Sequence, residues 1–299
     1  MFSIIIPTLN NLNHLKLCLN SIKRNSVLNN EIIIHVSIGN DGTRDYLNEQ
    51  NIKYTFTDYN AGIAEGANSA AQKCKYDYIL YSHDDFYFCP EWDLILKKEI
   101  ENISHKKFYL SGTMVGATPK DGIIIFDSGR SYQDFDEKKF LENYKNYNIS
   151  DFQGSHWAPH VIHKDIWNKV GGFSLEFWPG AGTDPDLAMK LWKCGVRIFK
   201  GINDFKVYHF GSVISRKSEK NTKKKKWSGT KASKMFLLKW GISMKFFKKF
   251  IIMSNTKYLG ELPNKPKINF NYISSMFLNK INYIYIKFIY KTFNKHKHL

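Results

Sequence analysis

The sequence has no CxxC pair, and its four cysteines, Cys18, Cys74, Cys89 and Cys194, stand far apart. That spacing excludes a disulfide framework and a cysteine-built zinc site, and leaves reduced packing residues. No apolar run of about 18 residues free of charge occurs, so no segment is expected to span a bilayer. The apolar start "MFSIIIPTLNN" lacks a basic leading segment and a small-residue cleavage site. It therefore reads as a first strand, in a protein expected to stay in the cytoplasm. No internal repeat is present. Acid is nearly missing from the end of the chain: residues 216–299 hold 21 Lys and Arg against 2 Asp and Glu, whereas residues 1–215 hold 23 against 25. The net charge of +17 is thus a property of the tail. A basic tail seeks phosphate, on lipid head groups or on nucleic acid. No recognised DNA- or RNA-binding motif accompanies it, so nucleic acid is not the expected partner.

What is present is a globular core: 43% of residues are hydrophobic and 15% aromatic, too many for a disordered chain. The first half alternates strand-like and helix-like segments. "FSIIIPT", "EIIIHVSIGND", "IKYTFTDY" and "YDYILYSH" read as strands; "NHLKLCLNSIKR" and "GIAEGANSAAQKC" read as helices between them. This alternation favours an α/β fold with a mixed, mainly parallel sheet and helices on both faces. In such sheets ligands bind at the carboxyl ends of the strands, where "PTLNN", "GNDGT" and "SHDD" collect. No structure is assigned to Tyr132 through Phe152. "HKDIWNKVGGF" reads as a helix closed by Gly171 or Gly172. The run "RKSEKNTKKKKWSG" reads as a solvated linker. The expected organisation is a catalytic domain over 1–215, a basic linker over 216–226 and a helical, basic and aromatic region over 227–299.

Two features ask for chemistry. Asp84 and Asp85 adjoin at the mouth of a buried strand, where they repel each other and lose hydration, so a positive partner is expected beside them. "GTDPDL" places Asp184 and Asp186 in the first turn of a helix. Capping by Thr183 or Asp184 before Pro185 explains that pattern equally well.

The order of these motifs resembles that of a family 2 glycosyltransferase of the GT-A fold, over roughly residues 2–212. The chain matches the family's motifs with "IIIPTLNN", "GNDGT", "NAGIAEGAN", "SHDD", "GGFSLEF" with "GTDPDL", and "VYHFGS". The resemblance implies that Pro7, Thr8, Asn10, Asn40, Asp41, Asn60, Gly62, Asn68 and Asp84 meet a nucleotide-sugar donor, most simply a UDP-sugar. It implies Mn2+ or Mg2+ as cofactor, held by Asp84, Asp85 and His209, and this metal is the positive partner the carboxylates require. It implies Asp184 as the base of an inverting transfer, and an acceptor groove near Trp157, Phe177, Trp178 and Asp186, although the aromatics serve equally as core. The acceptor would be a glycan or lipid-linked molecule, in surface polysaccharide or glycoconjugate synthesis. The Gln-x-x-Arg-Trp motif of processive members is missing, which favours transfer of single sugars. Departures from the pattern fall at Asn40, Ala67, Ser82 and Thr183. They keep open a non-catalytic nucleotide-sugar-binding protein of the same fold; a nucleotidyltransferase is disfavoured, because "PTLNN" stands where it would carry a glycine-rich loop.

The tail mixes lysines with large apolar residues. At 3.6 residues per turn, Lys231, Lys234, Lys245, Lys248 and Lys249 share one side, and Lys280, Lys287 and Lys291 another. Apolar faces including Phe246, Ile273, Phe277 and Ile284 suit either an anionic membrane surface or packing on the catalytic domain.

Overall fold

The structure, a computed structural model, describes residues 1–119, 122–211 and 227–295. The linker expected over 216–226 lies outside the described residues. The first half alternates as the pattern requires: β1 (Phe2–Leu9), α1 (Leu12–Asn25), β2 (Glu31–Ser37), α2 (Thr43–Glu49), β3 (Lys53–Thr57), α3 (Gly62–Ala71) and β4 (Tyr78–Tyr81). β1 reads as a nearly unbroken apolar run because it lies between parallel neighbours β2 and β4, where both faces of a strand are covered. α3 packs across β1 and β2 through Ala64, Ala67 and Ala70, all buried. The small residues set a close approach: a Cβ at Gly66 would lie 2.8 Å from the His35 ring. Ala67 is fully buried, so no side chain at that position reaches a ligand.

The second half supplies β5 (Phe86–Phe88), α4 (Trp92–Glu101), β6 (Phe108–Gly116), β7 (Ile124–Ile125), α5 (Glu137–Asn143), β8 (Phe152–Gln153), β9 (His160–His163), α6 (Lys164–Val170), α7 (Thr183–Lys193) and β10 (Ile198–His209). α5 forms within the stretch left unassigned by the sequence pattern; Asp136 caps it by accepting from the Lys139 amide. Gly171 closes α6 in the left-handed conformation, as expected. The strands form one sheet in the order β11-β8-β10-β6-β9-β4-β1-β2-β3. β9 runs antiparallel to β4 and β6, so the sheet is mixed but mostly parallel, with helices packed on it.

The outermost strand, β11 (Thr256–Lys257), comes from the basic tail and pairs with β8. Residues beyond the expected boundary therefore complete the catalytic sheet. Helix Trp227–Trp240 buries Ala232, Phe236 and Leu237. The turn Met244–Phe246 runs into a π-helical turn, Phe247–Ile251. Phe246, expected on an outward apolar face, is buried beneath Phe250 and Tyr272 instead. The reason is that this segment packs into the core of the catalytic domain.

Asp186 fixes that packing. It is fully buried; its Oδ2 accepts from Ser174 Oγ at 2.6 Å and its Oδ1 from Trp240 Nε1 at 2.8 Å. Lys239 Nζ lies 2.9 Å from Oδ1. Lys239 keeps Glu176 at 2.7 Å when Asp186 is removed, but the Trp240 indole N–H is left unpaired, and an orphaned buried hydrogen-bond partner costs about 1–3 kcal/mol. Asp186→Ala is therefore expected to lower unfolding stability by about 1–3 kcal/mol, measured by denaturant titration; an unchanged midpoint would show that helix Trp227–Trp240 is held by other contacts.

Candidate functional site

The site is positioned by strand register. β1 and β4 pair in parallel with Ile5 opposite Tyr81, so three residues further along both strands Thr8 comes level with Asp84. Thr8 Oγ1 donates to Asp84 Oδ2 at 2.6 Å. The chain leaves β1 toward β2 and β3 and returns on the other side of β1 as β4. That reversal is the topological switch point, where the strand-end loops diverge and open a crevice.

A second pairing closes the cluster. β5 runs antiparallel to β10 with Phe86 opposite His209, and the Phe210 amide donates to the Asp85 carbonyl at 3.2 Å. His209 is thereby carried across 124 positions of sequence to Asp85, with Nε2 3.6 Å from Oδ2. His83 stacks on Phe86 at 4.9 Å between ring centroids. One donor atom each of His83, Asp85 and His209 lies within 4.8 Å of the others.

The electrostatics suit a cation. Burial pushes the Asp84 carboxyl up, and the Asp85 charge pushes it further, against the hydrogen bond from Thr8. Burial lowers His83 to about 4, so its imidazole is neutral, the form that ligates. The donor set fits a divalent transition ion: mixed imidazole and carboxylate ligation suits Mn2+ better than Mg2+, which prefers oxygen throughout. Asp85 and His209 meet as expected. The third member is His83, an imidazole visible within "SHDD" that the motif comparison passed over, while Asp84 turns to Thr8. Ser82, at the position of the missing carboxylate, is fully buried and donates to the His83 carbonyl at 3.0 Å.

Across the same edge stands Asp184, in the first turn of α7 after Gly182, whose φ of 89° is left-handed. The expected capping bond is not made: no side chain caps α7, and Thr183 Oγ1 donates to the Gly180 carbonyl at 2.7 Å. Asp184 Oδ1 is buried without a hydrogen-bond partner. Burial raises its carboxyl to about 7, with Lys248 pulling the other way. Tyr81 Oη, Trp157 Nε1 and His160 Nε2 are also buried without partners. Tyr81 links the two halves of the site: burial raises its phenol, and Asp184, Asp84 and Asp85 each raise it further. His160 sits beside it because β9 pairs with β4, His160 opposite Tyr81. Tyr109 Oη lies 3.1 Å from the Trp157 carbonyl and 2.9 Å from His160 Nδ1. The phenol's one hydrogen goes to the carbonyl, so His160 Nδ1–H donates to the phenol oxygen and Nε2 keeps its lone pair.

The other expected residues divide by position. Asn10 is exposed at a φ of 47°, and its Oδ1 accepts from the Asn40 amide at 2.9 Å. Asp41 accepts from the Leu12 amide at 2.8 Å and from Thr43 Oγ1 at 2.6 Å, which ties the loops after β1 and β2 together. Asn60 accepts from the Gly62 amide at 3.0 Å, and its carbonyl accepts from Trp178 Nε1 at 3.1 Å. Gly62 leaves no room for a side chain: a Cβ would lie 2.7 Å from Trp178. Asn68 clamps both backbone groups of Phe173 at 2.8 and 2.9 Å. Trp178 is 55% exposed at the crevice, whereas Phe177 is core. Trp157 stacks on Phe152 at 5.5 Å. Tyr81, His160 and Lys248 carried no local sequence signal, since register and tail packing bring them in.

The family described as "Glycosyl transferase family 2" matches residues 3–161. No curated protein matches the chain. Among solved structures, Staphylococcus aureus TarS 1-349 in complex with UDP-GlcNAc is similar over 71% of this chain and 61% of that one, at 16% identity and a TM-score of 0.52. GalNAc-T7 with UDP, GalNAc and Mn2+ is similar over 70% of this chain and 43% of that one, at 14% identity and a TM-score of 0.53. The chain thus spans less than two thirds of these proteins, and at such identities the likeness is one of fold.

A ligand that binds only the folded state stabilises it, by about 2.7 kcal/mol at a hundredfold excess over Kd. Mn2+ is expected to raise the melting temperature of the wild type. The shift should vanish in His83→Ala, Asp85→Asn and His209→Ala but persist in Thr8→Val. A full shift in His83→Ala would break this grouping of ligands.

Proposed function

The chain belongs to glycosyl transferase family 2, and from that premise we propose a metal-dependent, inverting glycosyltransferase that moves one sugar from a nucleotide-sugar donor to a hydroxyl of a glycan or lipid-linked acceptor. The observation that carries this reading is the pairing of a His83–Asp85–His209 donor cluster with an unpartnered, high-pKa carboxylate, Asp184, about one buried tyrosine. A UDP-sugar is the proposed donor, in keeping with the UDP-GlcNAc and UDP named for the two similar structures. Surface polysaccharide or glycoconjugate synthesis on the cytoplasmic side is the proposed setting.

Pro7, Thr8, Asn10, Asn40 and Asp41 form the nucleotide side of the crevice, and Asn60, Gly62 and Asn68 hold the loops that shape it. His83, Asp85 and His209 would hold the ion, with Asp84 adjoining. When bound, a divalent cation there supplies Lewis-acid stabilisation of the charge that gathers on the departing diphosphate. Asp184 takes the proton of the acceptor hydroxyl as that oxygen bonds to the anomeric carbon, opposite the breaking bond to phosphate. A base works best with a pKa near the operating pH, and burial gives Asp184 that value where an exposed aspartate would be too weak. Trp178, exposed at the crevice, offers a face for stacking on the sugar.

The base is active only when ionised, so kcat/KM should fall about tenfold per pH unit below about 7 and level above it. Asp184→Asn should abolish transfer while leaving UDP binding intact in calorimetry; lost binding would assign Asp184 to the scaffold.

The same residue makes a stability statement. Its folded pKa of about 7 exceeds the ordinary value of about 3.9, so the folded state holds the proton more tightly than the unfolded chain. That contribution is complete below about pH 4 and is lost as pH rises through about 7. Asp184→Asn should therefore be more stable than wild type at pH 8, by on the order of 1–3 kcal/mol after allowance for solvent screening, with the difference shrinking toward pH 4. Equal melting curves at both pH values would refute the burial argument.

A further inference from the structure

Helix Phe270–Lys295 has two apolar faces, and only one is used. The inner face packs through Tyr272 on Phe246 and Phe250, through Met276 on the core, and through Asn279, whose Oδ1 accepts from the Ser243 amide at 2.6 Å. On the outer face Phe270, Ile273, Phe277, Ile281 and Ile284 follow one another at steps of three and four. At about 100° per residue they share an arc of about 80°, which Leu278 and Tyr285 widen to about 140°. All seven are exposed, from 48% at Ile281 to 83% at Phe270. Large apolar side chains exposed in one continuous stripe mark an interaction surface.

Charge selects the occupant. Lys280 and Lys287 border this stripe on one edge and are exposed. No Asp or Glu occurs after Glu261, while seven lysines do. A coiled coil with a second copy would need apolar residues at both seam positions of each heptad. With Phe270, Phe277 and Ile284 at one seam position, the other holds Ile273, Lys280 and Lys287 counted three residues on, or Ser274, Ile281 and Phe288 counted four on, so neither register is apolar throughout. An acidic protein partner would not require so broad an apolar arc. No described helix is long and apolar enough to cross a membrane. A wide apolar arc edged by lysines is instead the design of a helix lying in the plane of an anionic bilayer, apolar side down, with lysines at the head groups.

We propose that the outer face of helix Phe270–Lys295 is a membrane-docking surface for anionic lipid. Docking holds the enzyme at the bilayer where a lipid-linked acceptor would lie, but the surface itself stands independently of the catalytic reading. The aliphatic and aromatic side chains of this stripe enter the interface, and Lys280 and Lys287 meet phosphate.

The test is co-sedimentation of the full chain with vesicles of phosphatidylcholine alone and of phosphatidylcholine mixed with phosphatidylglycerol. The wild type should pellet with the mixed vesicles and be released by salt. Phe277→Ser with Ile284→Ser, and separately Lys280→Glu with Lys287→Glu, should each weaken partitioning about tenfold or more. These side chains are exposed, so circular dichroism melts should match wild type. Nucleotide-sugar hydrolysis without vesicles should be unchanged in both variants, and its loss or absence would count against the catalytic reading alone. Wild-type protein that stays in the supernatant overturns the proposal, as does equal binding to both vesicle types. So does a dimer, seen by light scattering, that Phe277→Ser with Ile284→Ser converts to monomer, because the occupant is then a second copy.

Discussion

Two adjacent carboxylates, buried where the strand order reverses, are the constraint around which the rest of this molecule is arranged. Asp84 and Asp85 cannot both ionise cheaply in that place: burial and mutual repulsion raise Asp84. Their surroundings answer in two ways. Thr8 donates a hydrogen bond to Asp84, and two imidazoles, His83 and His209, gather with Asp85 in a donor set. A chain that wanted only a stable core would have placed apolar residues here, because a buried charge pair rarely outperforms well-packed hydrocarbon. Keeping acids at a strand switch is therefore a functional arrangement, maintained against the interests of stability.

Asp184 obeys the same logic from the opposite side. Its unpartnered oxygen is an unfavourable feature in a folded protein, and Lys248, the cation among the described residues that acts on it, arrives from the basic tail. That tail is thus more than an appendage. It contributes the outer strand of the sheet, fixes Lys239 and Trp240 on Asp186, and sets Lys248 within the field of the candidate base. The two aspartates of "TDPD", two residues apart, are consequently divided in labour by about half a helical turn. Asp184 faces the site, and Asp186 turns inward as the anchor of the helix that shapes it.

Much of this was legible from residue order. Period-two and period-3.6 patterns located the alternating elements of the first half, and "PTLNN", "GNDGT" and "SHDD" marked the strand ends, because apolar runs stop where the chain meets solvent and ligand. Asp84, Asp85 and His209 were visible as motif residues, yet Asp85 and His209 gather with His83 whereas Asp84 turns to Thr8. The membership of the cluster was less visible. Nothing local distinguishes His83 as a donor from a histidine that fills space, and its orientation depends on Phe86 and β10. Phe246 misled for a related reason: helical spacing reports which residues share a face but not which of two faces meets the core.

The sequence by itself determined the alternation of strands and helices, the polar strand-end loops, the acids at their tips and the concentration of basic charge in the tail, since each is a property of neighbours within a few residues. Only the tertiary structure decided that Thr8 meets Asp84, that His209 and His83 gather at Asp85, that Tyr81 lies in the field of Asp184 with His160 opposite it on β9, and that part of the tail's apolar surface is core while the outer face of its last helix is not. These are consequences of strand register and helix docking, which join positions far apart in the chain, 76 residues for Thr8 and Asp84. Such pairings are set by the summed burial of the whole sheet and by no single segment of it.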